Sequence, residues 1–112
     1  MATINAKQKG NRFELICARI LQPFFPKVAT ARAESKALDN LKVDLTNTYP
    51  FLFQCKHVER GLDPHKVLAE MPNWEGQYKV LLWKRNRQEP LVVMTLKDAA
   101  EVLQMLKNER LL

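Results

Sequence analysis

The chain has 112 residues, 46% hydrophobic and 27% charged, and its 18 Lys and Arg outnumber its 12 Asp and Glu to leave a net charge of +6. That length fits a single domain, 1–112, with a radius of gyration of about 13 Å, and it excludes a two-domain dinucleotide enzyme, a TIM barrel and a propeller. The apolar content is too high for a disordered chain, no apolar run approaches the roughly 20 residues of a membrane helix, and the polar start from Met1 to Gly10 has no export-signal core, so a cytoplasmic protein with no membrane partner is expected.

The first predicted element is a helix over residues 7–22. Phe13, Ile16, Cys17, Ile20 and Leu21 recur at helical spacing and make one apolar stripe. Pro23 stops it. Glu14 lies off that stripe, on a face shared with Lys7, Gly10, Asn11 and Ala18. Residues 28–33 and 42–46 read as strands; in the second, Val43 and Leu45 alternate with Lys42, Asp44 and Thr46. Residues 47–50 are a turn by composition. A third strand over 51–57 puts Phe51, Phe53, Cys55 and His57 on one face and Leu52, Gln54 and Lys56 on the other. A short helix over 64–71 takes Asp63 as cap and Pro64 in its first turn. Strands over 78–83 and 91–95 flank the basic turn 84–90. The last helix opens on Thr95 and Asp98, and Leu96, Ala99, Ala100, Leu103 and Leu106 share a broad face. This order predicts an α/β fold with a central mixed sheet of about five strands flanked by helices.

The two cysteines, Cys17 and Cys55, sit at apolar positions and complete no zinc spacing with His57 or His65. They read as buried free thiols in a reducing compartment. The surplus of positive charge points to a polyanion, and nucleic acid is the commonest one a basic domain meets.

The sharpest chemical signal is Asp44 with Gln54 and Lys56. Gln54 and Lys56 are two apart on one strand, so they leave the same face roughly 7 Å apart. A hairpin with Asp44 facing Gln54 adds a carboxylate at the same spot, whereas a one-residue slip sends it to the far face. Such a trio suits metal-assisted hydrolysis of a phosphodiester. Magnesium takes oxygen ligands, here Asp44 and the Gln54 amide oxygen; Lys56 would serve the attacking water or the charge growing on the phosphate.

These elements and motifs resemble the PD-(D/E)xK nuclease superfamily, and within it the small Holliday-junction resolvases of archaeal type and related phage nucleases. The resemblance covers most of residues 7–96. It runs through Lys9-Gly10-Asn11-Arg12-Phe13-Glu14, the basic segment Arg32-Ala33-Glu34-Ser35-Lys36, then Val43-Asp44-Leu45 and Gln54-Cys55-Lys56. Two positions depart from the pattern: Val43 stands where Pro is usual, and Gln54 where Glu is usual. The resemblance implies a restriction-endonuclease-like core and a magnesium-dependent endonuclease, with manganese as a substitute metal and no small-molecule cofactor. It further implies action on branched DNA that leaves a 5′-phosphate and a 3′-hydroxyl. With Gln54 in place of Glu, the resemblance leads to the expectation that Glu14 joins Asp44 and Gln54 at the metal, as a ligand or through a bound water. A junction has two scissile strands related by approximate two-fold symmetry and this chain carries one candidate site, so a homodimer is expected. A phage source fits the compact size.

Lys7, Lys9, Arg12, Arg32, Ser35, Lys36 and Arg60 are the candidate DNA contacts. His57 reads as a core or edge histidine, and the turn with Lys84, Arg85 and Arg87 as a solvated tip. Three rival readings stay open: a nuclease of the same fold with another DNA substrate, a DNA-binding module weakened in catalysis by Gln54, and a structural or interaction protein whose charge serves solubility.

Overall fold

Asn5 starts the first helix with a reciprocal cap, accepting from the Gln8 amide while the Gln8 side chain accepts from the Asn5 amide. In this computed structural model, which describes residues 5–112, α1 runs Ala6–Leu21 and ends just before Pro23. The strand expected over residues 28–33 is cut to β1 (Ala29–Thr30), and the chain then turns helical in α2 (Ala31–Glu34) and α3 (Lys36–Asn40). Ala31, Ala33 and Ala37 favour that outcome, and Ser35 caps α3 by accepting from the Leu38 amide. The strand expected over 42–46 is likewise only β2 (Leu45–Thr46).

From there the observed elements follow the expected ones closely. β3 is Phe51–His57 and α4 is Pro64–Glu70, with Asp63 accepting from the His65 and Lys66 amides. β4 is Tyr78–Lys84, β5 is Leu91–Val93, and α5 is Leu96–Asn108 with Thr95 accepting from the Asp98 amide.

The α/β class is as expected, but the strands form two sheets in place of one. β1 and β2 pair antiparallel, Ala29 with Thr46 and Thr30 with Leu45. The other sheet has the order β3-β4-β5. Its β3 and β4 run parallel from Phe51 beside Tyr78 to His57 beside Lys84, with α4 in the crossover, and β5 lies antiparallel on β4. The ladder expected between β2 and β3 does not propagate, because the Asp44 carbonyl is taken by the Ala31 amide and the Asp44 carboxylate takes the Cys55 amide.

Alternation along β3 divides the core. Phe53 and Cys55 pack with Phe13, Cys17, Leu45, Val80 and Leu82 on the α1 side. Leu52 packs with Val43, Val67, Leu68, Met71 and Leu81 on the α4 side. Cys17 and Cys55 are free and buried, as expected. Phe25 closes the first cluster edge-on to Phe51 and Phe53, while Phe24 is 72% exposed.

Two helix faces differ from expectation. Ile16 and Ile20 on the α1 stripe are exposed. α5 buries no residue; Leu96 and Leu103 are exposed, and the half-buried side chains are Asp98, Ala99, Val102 and Leu106. Among the described residues, no helix is long and apolar enough to cross a membrane.

Candidate active site

Asp44 owes its place to the way α3 stops. The Lys42 amide donates to the Asp39 carbonyl (3.1 Å) and the Val43 amide to the Leu38 carbonyl (3.0 Å), with Lys42 at φ 65°. This is the Schellman pattern, which usually takes glycine at the left-handed position. Its apolar closure is Leu38 against Val43, both in the α4-side cluster. Val43 therefore donates a hydrogen bond that a proline at this position could not make.

The next residue is held from three directions. The Asp44 amide donates to the Phe53 carbonyl (2.8 Å), the Asp44 carbonyl accepts from the Ala31 amide (2.7 Å), and Oδ2 accepts from the Cys55 amide (2.7 Å). Bonds to Phe53 and Cys55 set Asp44 beside Gln54, the neighbour relation that the hairpin register requires.

Glu14, Asp44, Gln54 and Lys56 line one open cavity of about 490 Å³ between α1, α3 and β3. Lys7, Gly10 and Asn11 line it too, so the α1 face shared with Glu14 points into the cavity. Gln54 is 2% exposed, and its Oε1 has no hydrogen-bond partner. An orphaned buried acceptor costs about 1–3 kcal/mol. The Glu14 side chain is only 12% exposed, and its Oε1 lies 3.4 Å from Arg32 Nε. Two carboxylates and one amide oxygen make an all-oxygen donor set of the kind magnesium accepts, and the unpartnered Gln54 oxygen fits a cation. Among the described residues, no group of three or more His, Cys, Asp or Glu side chains is arranged to hold a metal; in this cavity the third oxygen comes from an amide.

Burial and crowded negative charge set the electrostatics. Glu14 is raised from 4.5 to about 7, chiefly by burial and then by Asp44, against the opposing effect of Arg32; Asp39 adds a smaller upward push. Asp44 is also raised by burial, opposed by the Cys55 amide and by Lys56. Cys55 is pushed well up by its hydrogen bond with Cys17 and by burial.

A carboxyl with a raised folded pKa holds its proton more tightly in the folded state, so its contribution favours folding at low pH and is lost as pH rises from 4.5 to about 7. In chelator, the melting temperature of the wild type relative to Glu14→Gln is expected to decline across that window. A difference independent of pH would overturn this reading of Glu14.

The expected DNA contacts separate. Lys7 lines the cavity, Arg32 pairs with Glu14, and Lys9 Nζ donates to Asn86 Oδ1 (3.2 Å). Ser35 is used in capping α3, so the basic segment 32–36 is two short helices and not a loop. Arg12, Lys36 and Arg60 are exposed and do not line the cavity. Asp39, Asn40 and Lys42 line it without having been singled out; the signal for them was the Ser35-to-Leu38 cap spacing, which marks a helix start. His57 meets Phe13 edge-on, as a core-edge histidine should, and also lines the cavity. No family model, curated protein or solved structure matches the chain.

Proposed function

We propose that the protein is a magnesium-dependent DNA endonuclease with a restriction-endonuclease-like core, cutting branched DNA as a homodimer. The observation that carries this reading is Gln54, which lines the same cavity as Asp44, Glu14 and Lys56 and whose buried Oε1 has no hydrogen-bond partner. A cation is a natural partner for an amide oxygen whose residue shares a cavity with two carboxylates. Asp44, Gln54 and Glu14 would hold the ion. When bound, it supplies Lewis-acid polarisation of the scissile phosphate and eases deprotonation of a water.

The chain's own groups supply the rest. The Cys55 amide fixes one Asp44 oxygen and so orients the carboxylate. Lys56 holds the attacking water or offsets the negative charge developing on the phosphate. Lys7 extends positive charge along the cavity rim. Arg32, 3.4 Å from Glu14, offsets part of that carboxylate's charge and would be available to a phosphate if Glu14 held the ion.

Support for a second copy comes from exposed apolar side chains with no cover in one chain: Ile20, Phe24, Leu91 and Val92. Two symmetric cuts also need two such cavities.

The test is a labelled four-way junction incubated with magnesium, with and without chelator, for wild type and Gln54→Glu. The expected result is metal-dependent cleavage by the wild type, leaving 5′-phosphate and 3′-hydroxyl ends. Cleavage only by Gln54→Glu would favour a binding module, and cleavage by neither protein would overturn the nuclease reading. Competition from a linear duplex of matching sequence separates branched DNA from other substrates.

A further inference from the structure

The basic turn between β4 and β5 has the sequence of a solvated tip, yet its surroundings are those of a fixed element. Because β3 and β4 are parallel, both strands end at the same edge of the sheet, His57 beside Lys84. That edge is where Gln54 and Lys56 meet the cavity, and carboxyl ends of parallel strands are the usual ligand side of such sheets. The turn is then tied down on several sides. Asn86 Oδ1 accepts from His57 Nε2 (2.8 Å) and from Lys9 Nζ (3.2 Å), and the Asn86 amide donates to Glu59. The Val58 amide donates to the Lys84 carbonyl (3.1 Å), and Lys84 Nζ closes the turn on the Gln88 carbonyl (2.8 Å). One asparagine thus links the start of α1, the end of the site strand and the turn.

Two cations on this turn remain available. The Arg85 guanidinium sits 4.8 Å from the Trp83 ring centroid, a cation–π contact that orders the side chain. Trp83 itself is anchored by its Nε1 donating to the Val58 carbonyl (3.0 Å). Arg85, Gln88, Glu89 and Leu91 line an open pocket of about 480 Å³ beside that ring. Arg87 is exposed at φ 61°. Among the described residues, Arg32 is the only Lys or Arg that pairs with a carboxylate, so Glu89 neutralises neither arginine. Trp83 is the register partner of Lys56, which puts this surface one strand spacing, about 4.8 Å, from the site strand.

We propose that the β4–β5 turn is a second DNA-backbone contact, in which Arg85 and Arg87 grip phosphates of the duplex arm next to the scissile strand. The stacked, tethered turn meets the arm with little ordering left to do, and none of its residues lines the cavity, which separates grip from chemistry. This rests on the nuclease reading, so the experiment must tell the two apart.

The probe is a fluorescent four-way junction, titrated in chelator over a series of salt concentrations with wild type, Arg85→Gln/Arg87→Gln and Arg85→Lys/Arg87→Lys. The Gln pair is expected to weaken binding about tenfold and to lower the slope of log affinity against log salt by about 2, one unit per lost phosphate contact. The Lys pair should keep the slope. Single-turnover cleavage in magnesium at saturating protein should stay within about twofold of wild type. Unchanged affinity and slope in the Gln pair, or an equal loss in the Lys pair, would overturn the role of the turn alone. A wild type without affinity for the junction would overturn the nuclease reading and this contact with it.

Discussion

Asp44→Asn is expected to lower magnesium-dependent cleavage by about 10³-fold or more and, at the same time, to raise the melting temperature of the metal-free protein. Both effects come from one charge. Metal ions contribute several kcal/mol of transition-state stabilisation, and each 1.36 kcal/mol is a factor of ten. Asp44 is the carboxylate best held in the cavity, pinned through both its backbone and its side chain. Without metal that charge is costly: Asp44 is raised by burial, and it in turn raises Glu14. Asn is the informative replacement because its amide oxygen still accepts from the Cys55 amide. Ala would leave that buried donor unpaired at a cost of about 1–3 kcal/mol and confuse folding with chemistry. Single-turnover cleavage and thermal melts in chelator are the measurements. Cleavage within about tenfold of wild type would overturn the role given to Asp44.

Lys56→Ala is expected to cut the single-turnover rate by about 10²–10⁴-fold if its ammonium acts on the attacking water or its proton. Lys56 is half-buried on the face of β3 that carries Gln54, and its charge opposes the rise in the Asp44 pKa. A group that acts in the transition state lowers the rate without an equal loss of ground-state binding. Junction affinity in chelator should therefore fall by no more than one phosphate contact, about one unit of salt slope. A rate loss no larger than the affinity loss would make Lys56 a phosphate grip and not a chemical participant.

Periodicity revealed the long elements. The stripe of α1, the alternation of β3 and the Asp-Pro start of α4 all lie in contiguous residues, and each folds as local pattern dictates. The Glu14 face of α1 was legible for the same reason: once the helix is set, Lys7, Gly10, Asn11 and Glu14 must share a side. Residues 28–46 were not legible. α2 and α3 are too short to show a period, and β1 and β2 find each other only across the helices between them. The left-handed residue that ends α3 is Lys42, not the glycine that would have signalled a helix stop. As a result Asp44 reaches Gln54, but by a helix cap and a side-chain bond where a plain hairpin was expected. The turn at 84–90 is exposed from Arg85 to Glu89, as a solvated tip should be, but its tethers to Lys9, His57 and Glu59 join residues remote in sequence and were not legible. For α5, a broad apolar stripe predicted packing, and one chain does not cover it.

The bond from the Cys55 amide to the Asp44 carboxylate also bears on aggregation. An uncovered strand edge invites another strand to add to it. On β3 the Phe51 amide is taken by the Thr48 carbonyl, the Phe53 carbonyl by the Asp44 amide, and the Cys55 amide by the Asp44 side chain. The residues that build the site thus also blunt that edge of the three-stranded sheet. The edge left open is β5, where Leu91 and Val92 are exposed. The Asp44 carboxylate therefore leaves β5 as the one edge of this sheet, among the described residues, to which a further strand could add.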